Sequence, residues 1–270
     1  MARESTDLFV VERDLRLDLL RGLGLWMIFL DHIPDDVVAW LTLRNYGFSD
    51  AAEFFVFISG YTASFVYARM MLERGFIVGA TRLTKRVWQL YVAHIILFVI
   101  YIAAISYLAL RFGDSEMINE FNVAGLVDNA TETLRQGLFL KFKPVNLDVL
   151  PLYIVLMLAL PLILWSMKWK PDVTLGLSVV LYALTWQFDL YLSAYPNGFW
   201  AFNPFAWQLM FFFGAWCGCG AVAQISKFLQ SRIVFAVAIA WIAFALVIVM
   251  TWHSAFLESL IPKWMIKLIY

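Results

Sequence analysis

Charge and cysteine are both scarce in this 270-residue chain. Charged residues make up 15 % of it, against about a quarter in a soluble domain, too few to cover a water-facing surface. The 20 Lys and Arg are balanced by 20 Asp and Glu, so no excess of one sign marks a nucleic-acid-binding or strongly acidic surface. The two cysteines, Cys217 and Cys219, stand one residue apart in an apolar run. With no C-x-x-C pair and no Cys/His zinc spacing, neither a metal site nor a disulfide scaffold is expected. Pro/Gly/Ser linkers, low-complexity tracts and internal repeats are missing too, so residues 1–270 read as a single domain. A cleavable signal peptide is not expected: the first apolar stretch is long, follows Glu4, Asp7, Glu12, Asp14 and Asp18, and lacks a small-residue cleavage site.

What is present is apolar surface. Hydrophobic residues are 63 % of the chain and the mean hydropathy is +0.77. A helix needs about 20 mostly apolar residues to cross a bilayer, and that criterion gives roughly seven spans: 17–33, 50–72, 87–110, 147–167, 173–189, 204–223 and 233–253. The expected fold is therefore an all-α, polytopic transmembrane helical bundle. With the N-terminus in the cytoplasm, 13 of the 20 Lys and Arg fall on the cytoplasmic side and 7 on the other, as the positive-inside rule requires. The longest loop, 111–146, and an amphipathic stretch near the C-terminus then face outward.

Ionisable groups inside spans are costly and mark functional candidates. The first span, LDLLRGLGLWMIFLDHI, carries Asp18, Arg21, Asp31 and His32. At 100° per residue, the eleven-residue step from Arg21 to His32 puts both on one face, about 16 Å apart along the axis. That spacing suits a long ligand, anionic at one end and reactive at the other. The competing reading pairs Arg21 with Asp18 at i,i+3 and leaves His32 as a helix-packing group. Glu53 opens the second span, DAAEFFVFISGYTASF, where Ser59-Gly60 offers a close helix approach. Ser59 lacks the G-x-S-x-G context of a nucleophile. Arg82, Lys85 and Arg86 share a face of the next helix; they either clamp phosphates or anchor the cytoplasmic edge.

Weaker signals lie further along. Asp148, Trp207 and Gln208 enter the membrane from the side of His32 and Glu53, as acceptor-side candidates. Gly214 and Gly218 form a G-x-x-x-G packing motif, and His94 and His253 read as satisfied bundle histidines. Asn129-Ala130-Thr131 is a formal glycosylation sequon. Val37 stands where the soluble glycerolipid acyltransferases carry the aspartate that follows their histidine.

Arg21, ten residues and His32, within LRGLGLWMIFLDH, resemble the R-x10-H signature of the membrane acyltransferase-3 superfamily. EFFVFISGY at 53–61 is similar to its FF-x-x-SGF segment, and RLTKRVWQLY at 82–91 to its basic stretch. LDHIP at 30–34, LDVLPLYI at 147–154 and WQLMFFFG at 207–214 resemble the OpgC branch. The resemblance implies a bacterial inner-membrane, multi-pass acyltransferase. It moves an acyl group, succinyl in the OpgC branch, from cytoplasmic acyl-coenzyme A to hydroxyls of an osmoregulated periplasmic glucan. By position, His32 matches the catalytic histidine, and Arg21, Arg82, Lys85 and Arg86 the donor-binding basic residues. The superfamily carries more helices than this chain supplies, so either the chain is a C-terminally truncated fragment or the remaining helices are dispensable.

Both lines converge on one mechanism. Donor phosphates lie at the cytoplasmic basic edge, and the pantetheine arm presents its thioester near His32. Neutral His32 takes the proton of a sugar hydroxyl as general base, Glu53 supplies a neighbouring carboxylate, and Asp31 acts less directly. The expected partners are acyl-coenzyme A as co-substrate, a periplasmic glucan, membrane lipid and glucan-synthesis proteins, with no bound cofactor, metal or nucleic acid. Two alternatives remain open at this level: a carbohydrate transporter or exporter, which would show inverted repeats and broken helices, and a truncated, non-catalytic homologue.

Overall fold

A computed structural model describes residues 15–34, 36–113 and 116–251, together with Ser254 and Phe256. His253 and the amphipathic C-terminal stretch lie outside the described residues. The helices are α1 (Leu15–Asp31), α2 (Ala51–Arg74), α3 (Phe76–Phe112), α4 (Glu116–Glu120), α5 (Gly125–Leu138), α6 (Val149–Trp169), α7 (Pro171–Gln187), α8 (Pro204–Trp216), α9 (Val222–Leu229) and α10 (Arg232–Thr251). No β-strand occurs among the described residues. Each of the seven expected spans coincides with a helix. Five of these are long and apolar enough to cross a membrane: α2, α3, α6, the run Pro204–Leu229 and α10. The other two, α1 and α7, have 17 residues each.

Two expectations change. The third span, read as 87–110, is part of a helix that already starts at Phe76 and runs for 37 residues. At 1.5 Å per residue that is about 55 Å, well over the ~30 Å of a hydrocarbon core. The basic run 82–86 looked like an edge in hydropathy. Lys, Arg and Leu are good helix formers, so the helix continues past the apolar boundary. The outer loop 111–146 is likewise not a plain loop: it contains α4 and α5.

The chain divides into two compact units, Met1–Ser59 with Ile225–Tyr270, and Gly60–Gln224. In the first, Gly24 is the buried residue of α1. A Cβ there would meet the Phe54 ring at 3.3 Å and Phe55 at 3.6 Å, so the absence of a side chain lets α1 lie against the start of α2. After α1, two 3₁₀ turns, Val37–Leu41 and Leu43–Asn45, fold back onto the helix end. Phe48 packs edge-on against Trp241 and Phe244 of α10, with ring centroids 5.8 and 6.0 Å apart.

In the second unit, α3 packs on α6 and α7 on α8. The buried positions of α3, namely Gly79, Leu83, Val87, His94, Phe98, Ile105 and Ala109, recur at helical spacing and define one stripe. Between Val92 and Leu110 its exposed positions are apolar, as a lipid-facing helix requires. The α2–α8 crossing is set by small residues. A Cβ on Gly60 would overlap the Phe211 carbonyl oxygen, and one on Gly218 would overlap Ser64 Oγ and the Tyr61 carbonyl. Backbone meets backbone there, the small-residue contact of membrane helices. Gly218 belongs to a π-helical turn, Cys217–Ala221, that links α8 to α9.

Candidate active site

Two turns into α1, Arg21 Nη1 lies 4.0 Å from Asp18 Oδ1, with both side chains about one-third exposed. The i,i+3 pair foreseen from the spacing is therefore present, but as a loose contact. Arg21 Nε is buried and makes no hydrogen bond among the described residues. The guanidinium thus keeps unsatisfied donor capacity, which an anion could fill.

His32 stands in the turn that closes α1, its N–H bonded to the Phe29 carbonyl at 3.2 Å. Its Nδ1 lies 2.7 Å from the Ile28 carbonyl oxygen. A carbonyl only accepts, so Nδ1 carries the proton and Nε2 of the neutral ring has a free lone pair. The imidazole is exposed. Eleven residues after Arg21, it presents an oriented acceptor nitrogen at the opposite end of the same helix.

Asp31 and Glu53 have other work. The Asp31 carboxylate accepts a hydrogen bond from Thr42 Oγ1 at 2.5 Å, Thr42 is fully buried, and Arg44 Nη1 donates to the Asp31 carbonyl at 3.2 Å. Asp31 thereby ties the 37–45 turns to the helix end behind His32. Glu53 Oε2 accepts the Asp50 N–H at 2.7 Å, while Asp50 Oδ1 accepts the Ala52 N–H at 2.6 Å. Asp50 thus caps the second N–H of α2 and Glu53 reaches back to the N-cap N–H, a capping-box-like arrangement. Among the described residues Glu53 bonds to Asp50 and Ser49 and not to His32, so the carboxylate expected beside the imidazole serves the helix terminus instead.

In the second unit, Arg82, Lys85 and Arg86 are all exposed within the first three turns of α3. Arg86 Nη1 reaches Gln89 Oε1 at 3.5 Å, and Tyr67 of α2 lies within electrostatic reach of Arg86 and Arg82. No carboxylate pairs with any of the three among the described residues, leaving a patch of uncompensated positive charge.

The acceptor-side candidates are engaged in packing. Gln208 is buried; its Oε1 accepts from Ser178 Oγ at 2.5 Å and its Nε2 donates to the Ser178 carbonyl at 2.8 Å. Both ends of the amide clasp α8 to α7. Trp207 lies against Phe202, centroids 4.9 Å apart. Asp148, before α6, stands 4.0 Å from Lys143 Nζ.

Lys143 is a residue that sequence reasoning missed. Its ammonium is 3.8 Å from the Trp200 ring centroid and its side chain is 5 % exposed. Burial lowers its pKa to about 8, against the opposing pull of Asp148; burial raises the Asp148 pKa, against Lys143. A Lys in the mixed stretch LKFKPVNL carries no pattern that announces this. His94 is fully buried, as expected of a bundle histidine. It is not satisfied, however: it stacks on Phe98 and neither ring nitrogen has a hydrogen-bond partner among the described residues. Gly218 confirms the packing role expected of the G-x-x-x-G motif. Asn129 accepts the Glu132 N–H within a kink of α5.

Fold and site together define an all-helical, multi-pass membrane protein with an oriented imidazole at the end of its first helix. The chain belongs to the OpgC family: the family's profile, described as OpgC protein, matches residues 13–270. Membership places it among glucan-modifying membrane proteins with a transferase role. No curated protein and no solved structure matches the chain.

Proposed function

We propose that this protein is an O-acyltransferase of the acyltransferase-3 kind, moving an acyl group, succinyl by family resemblance, from cytoplasmic acyl-coenzyme A to a hydroxyl of a periplasmic glucan. The observation that carries this reading is the tautomer of His32. With Nδ1–H held by the Ile28 carbonyl, Nε2 of the neutral ring is the nitrogen with a free lone pair.

In the proposed step, a sugar hydroxyl gives its proton to His32 Nε2 while its oxygen attacks the thioester carbonyl. The C–S bond then breaks, the new C–O ester bond remains, and the imidazolium returns the proton to the departing thiolate. Atoms and charge balance without a further reactant. Arg21 neutralises an anionic part of the donor at the other end of α1, and the rise of the helix, about 16 Å over eleven residues, is what the pantetheine arm has to span. Asp31 keeps the ground behind His32 fixed. Arg82, Lys85 and Arg86 offer a further phosphate-binding patch, supported by the absence of a carboxylate partner among the described residues. The bacterial inner membrane and a cytoplasmic N-terminus follow from the family resemblance and the Lys/Arg bias.

The test is acyl incorporation into glucan by the full chain in proteoliposomes. His32→Ala is expected to lower the rate by a factor on the order of 10² to 10⁴, the usual worth of a general base, with insertion unchanged. Arg21→Ala is expected to raise KM for the acyl donor more than it lowers kcat. Undiminished incorporation by His32→Ala overturns the proposal.

A further inference from the structure

A cleft of about 330 Å³ on the segment between α3 and α6 is lined by Arg135, Gln136, Phe139 and Lys141 and has no part in the step above. The end of α5 creates it. The Lys141 N–H bonds to the Gln136 carbonyl and the Leu140 N–H to the Gly137 carbonyl, with Leu140 in the left-handed region at φ 60°. This is a Schellman termination. It turns Leu140 and Phe142 inward, both buried, and leaves Phe139 67 % exposed. Lys141 is exposed beside it.

The cleft surface itself is mostly apolar, and the polar groups beside it are fixed in advance. Glu132 accepts from Arg135 Nε at 2.9 Å, from Arg135 Nη2 at 2.8 Å and from Gln136 Nε2 at 2.5 Å. The hydrogen bonds from Arg135 hold the Glu132 carboxyl below its usual pKa, so the set stays charged. Gln136 Oε1 and Arg135 Nη1 remain open among the described residues, one acceptor and one donor. Lys141 has no carboxylate partner there, giving Glu132, Arg135 and Lys141 a net charge of one positive unit. A flat apolar ring beside fixed donors and acceptors matches a hexose, whose C–H face stacks on an aromatic ring while its hydroxyls both donate and accept. A lipid phosphate, being acceptor-only, would meet Glu132 unfavourably.

We infer that this cleft is a docking site for the sugar chain of the acceptor. A ring lies on Phe139, hydroxyls bond Gln136 and Arg135, and Lys141 favours chains that already bear an anionic substituent. This rests on the glucan reading above for the identity of the sugar, but its test does not depend on acyl transfer.

The full chain in nanodiscs is titrated with a neutral β-linked gluco-oligosaccharide and with its succinylated form, bound ligand being measured by equilibrium dialysis. Phe139→Ala is expected to weaken both at least tenfold. Lys141→Ala should weaken the succinylated ligand several-fold more than the neutral one. Both side chains are exposed, and an unchanged thermal transition confirms folding of each variant. Binding that survives Phe139→Ala unchanged overturns the inference, as does the absence of oligosaccharide binding by a chain that still acylates glucan. Loss of anionic-lipid stabilisation in Phe139→Ala, with oligosaccharide binding intact, also overturns it and makes the cleft a lipid anchor. Binding through the cleft by a chain that transfers no acyl group leaves the docking site standing and refutes the acyltransferase reading instead.

Discussion

The chemistry proposed for His32 depends on one backbone carbonyl, that of Ile28, four residues back on α1. The axial separation of Arg21 and His32 was legible in the sequence because the helical rise fixes it, whereas the turn that carries His32 past the end of α1 was not. Glu53 and Gln208 were not, because residue type shows that a polar group enters the membrane but not what it binds. One completes a capping-box-like arrangement and the other clasps Ser178. Lys143 was invisible for the same reason, since its burial under Trp200 arises from tertiary packing. Its lowered pKa has a consequence for stability. In the folded chain Lys143 releases its proton near pH 8, in the unfolded chain near its ordinary value of about 10.4. Between those values the unfolded state binds more protons, so stability rises with pH in that window and gains nothing from this group below it. Thermal unfolding in detergent should show the wild type gaining on a Lys143→Met/Asp148→Asn variant between pH 8 and pH 10. An equal pH dependence of the two would contradict the buried-ammonium description.

Among the helices, hydropathy located a helix at every expected span, five of them long and apolar enough to cross a membrane, but misjudged their ends. α3 extends eleven residues before its apolar part because Arg82, Lys85 and Arg86 are compatible with helix even where they are incompatible with lipid. The loop between α3 and α6 hid α5, whose polar composition resembles a loop in a hydropathy profile. The crossing of α2 and α8 was foreshadowed by Ser59-Gly60 and by Gly214/Gly218, and its tightness gives a sharp expectation. Gly60→Ala drives a methyl into the Phe211 carbonyl, and backbone cannot rotate away. The cost should reach about 3 kcal/mol or more, the upper range of overpacking. Gly176→Ala in α7 meets nothing within 4 Å and should stabilise by about 1 kcal/mol through helix propensity. Thermal transitions of the two variants in one detergent check both. A Gly60→Ala variant as stable as wild type would mean that the helices do not meet backbone to backbone.

For the molecule as a whole, the proposed reaction is a transfer between two compartments along one helix: the donor is held where Arg21 lies and the acceptor hydroxyl is activated where His32 lies. The most direct measurement uses oriented proteoliposomes with acyl-coenzyme A confined to the side of the N-terminus and glucan confined to the other. The expected result is acylated glucan, with free coenzyme A released on the donor side and both lost in His32→Ala. Acylation only when donor and glucan share one side of the membrane would contradict the account.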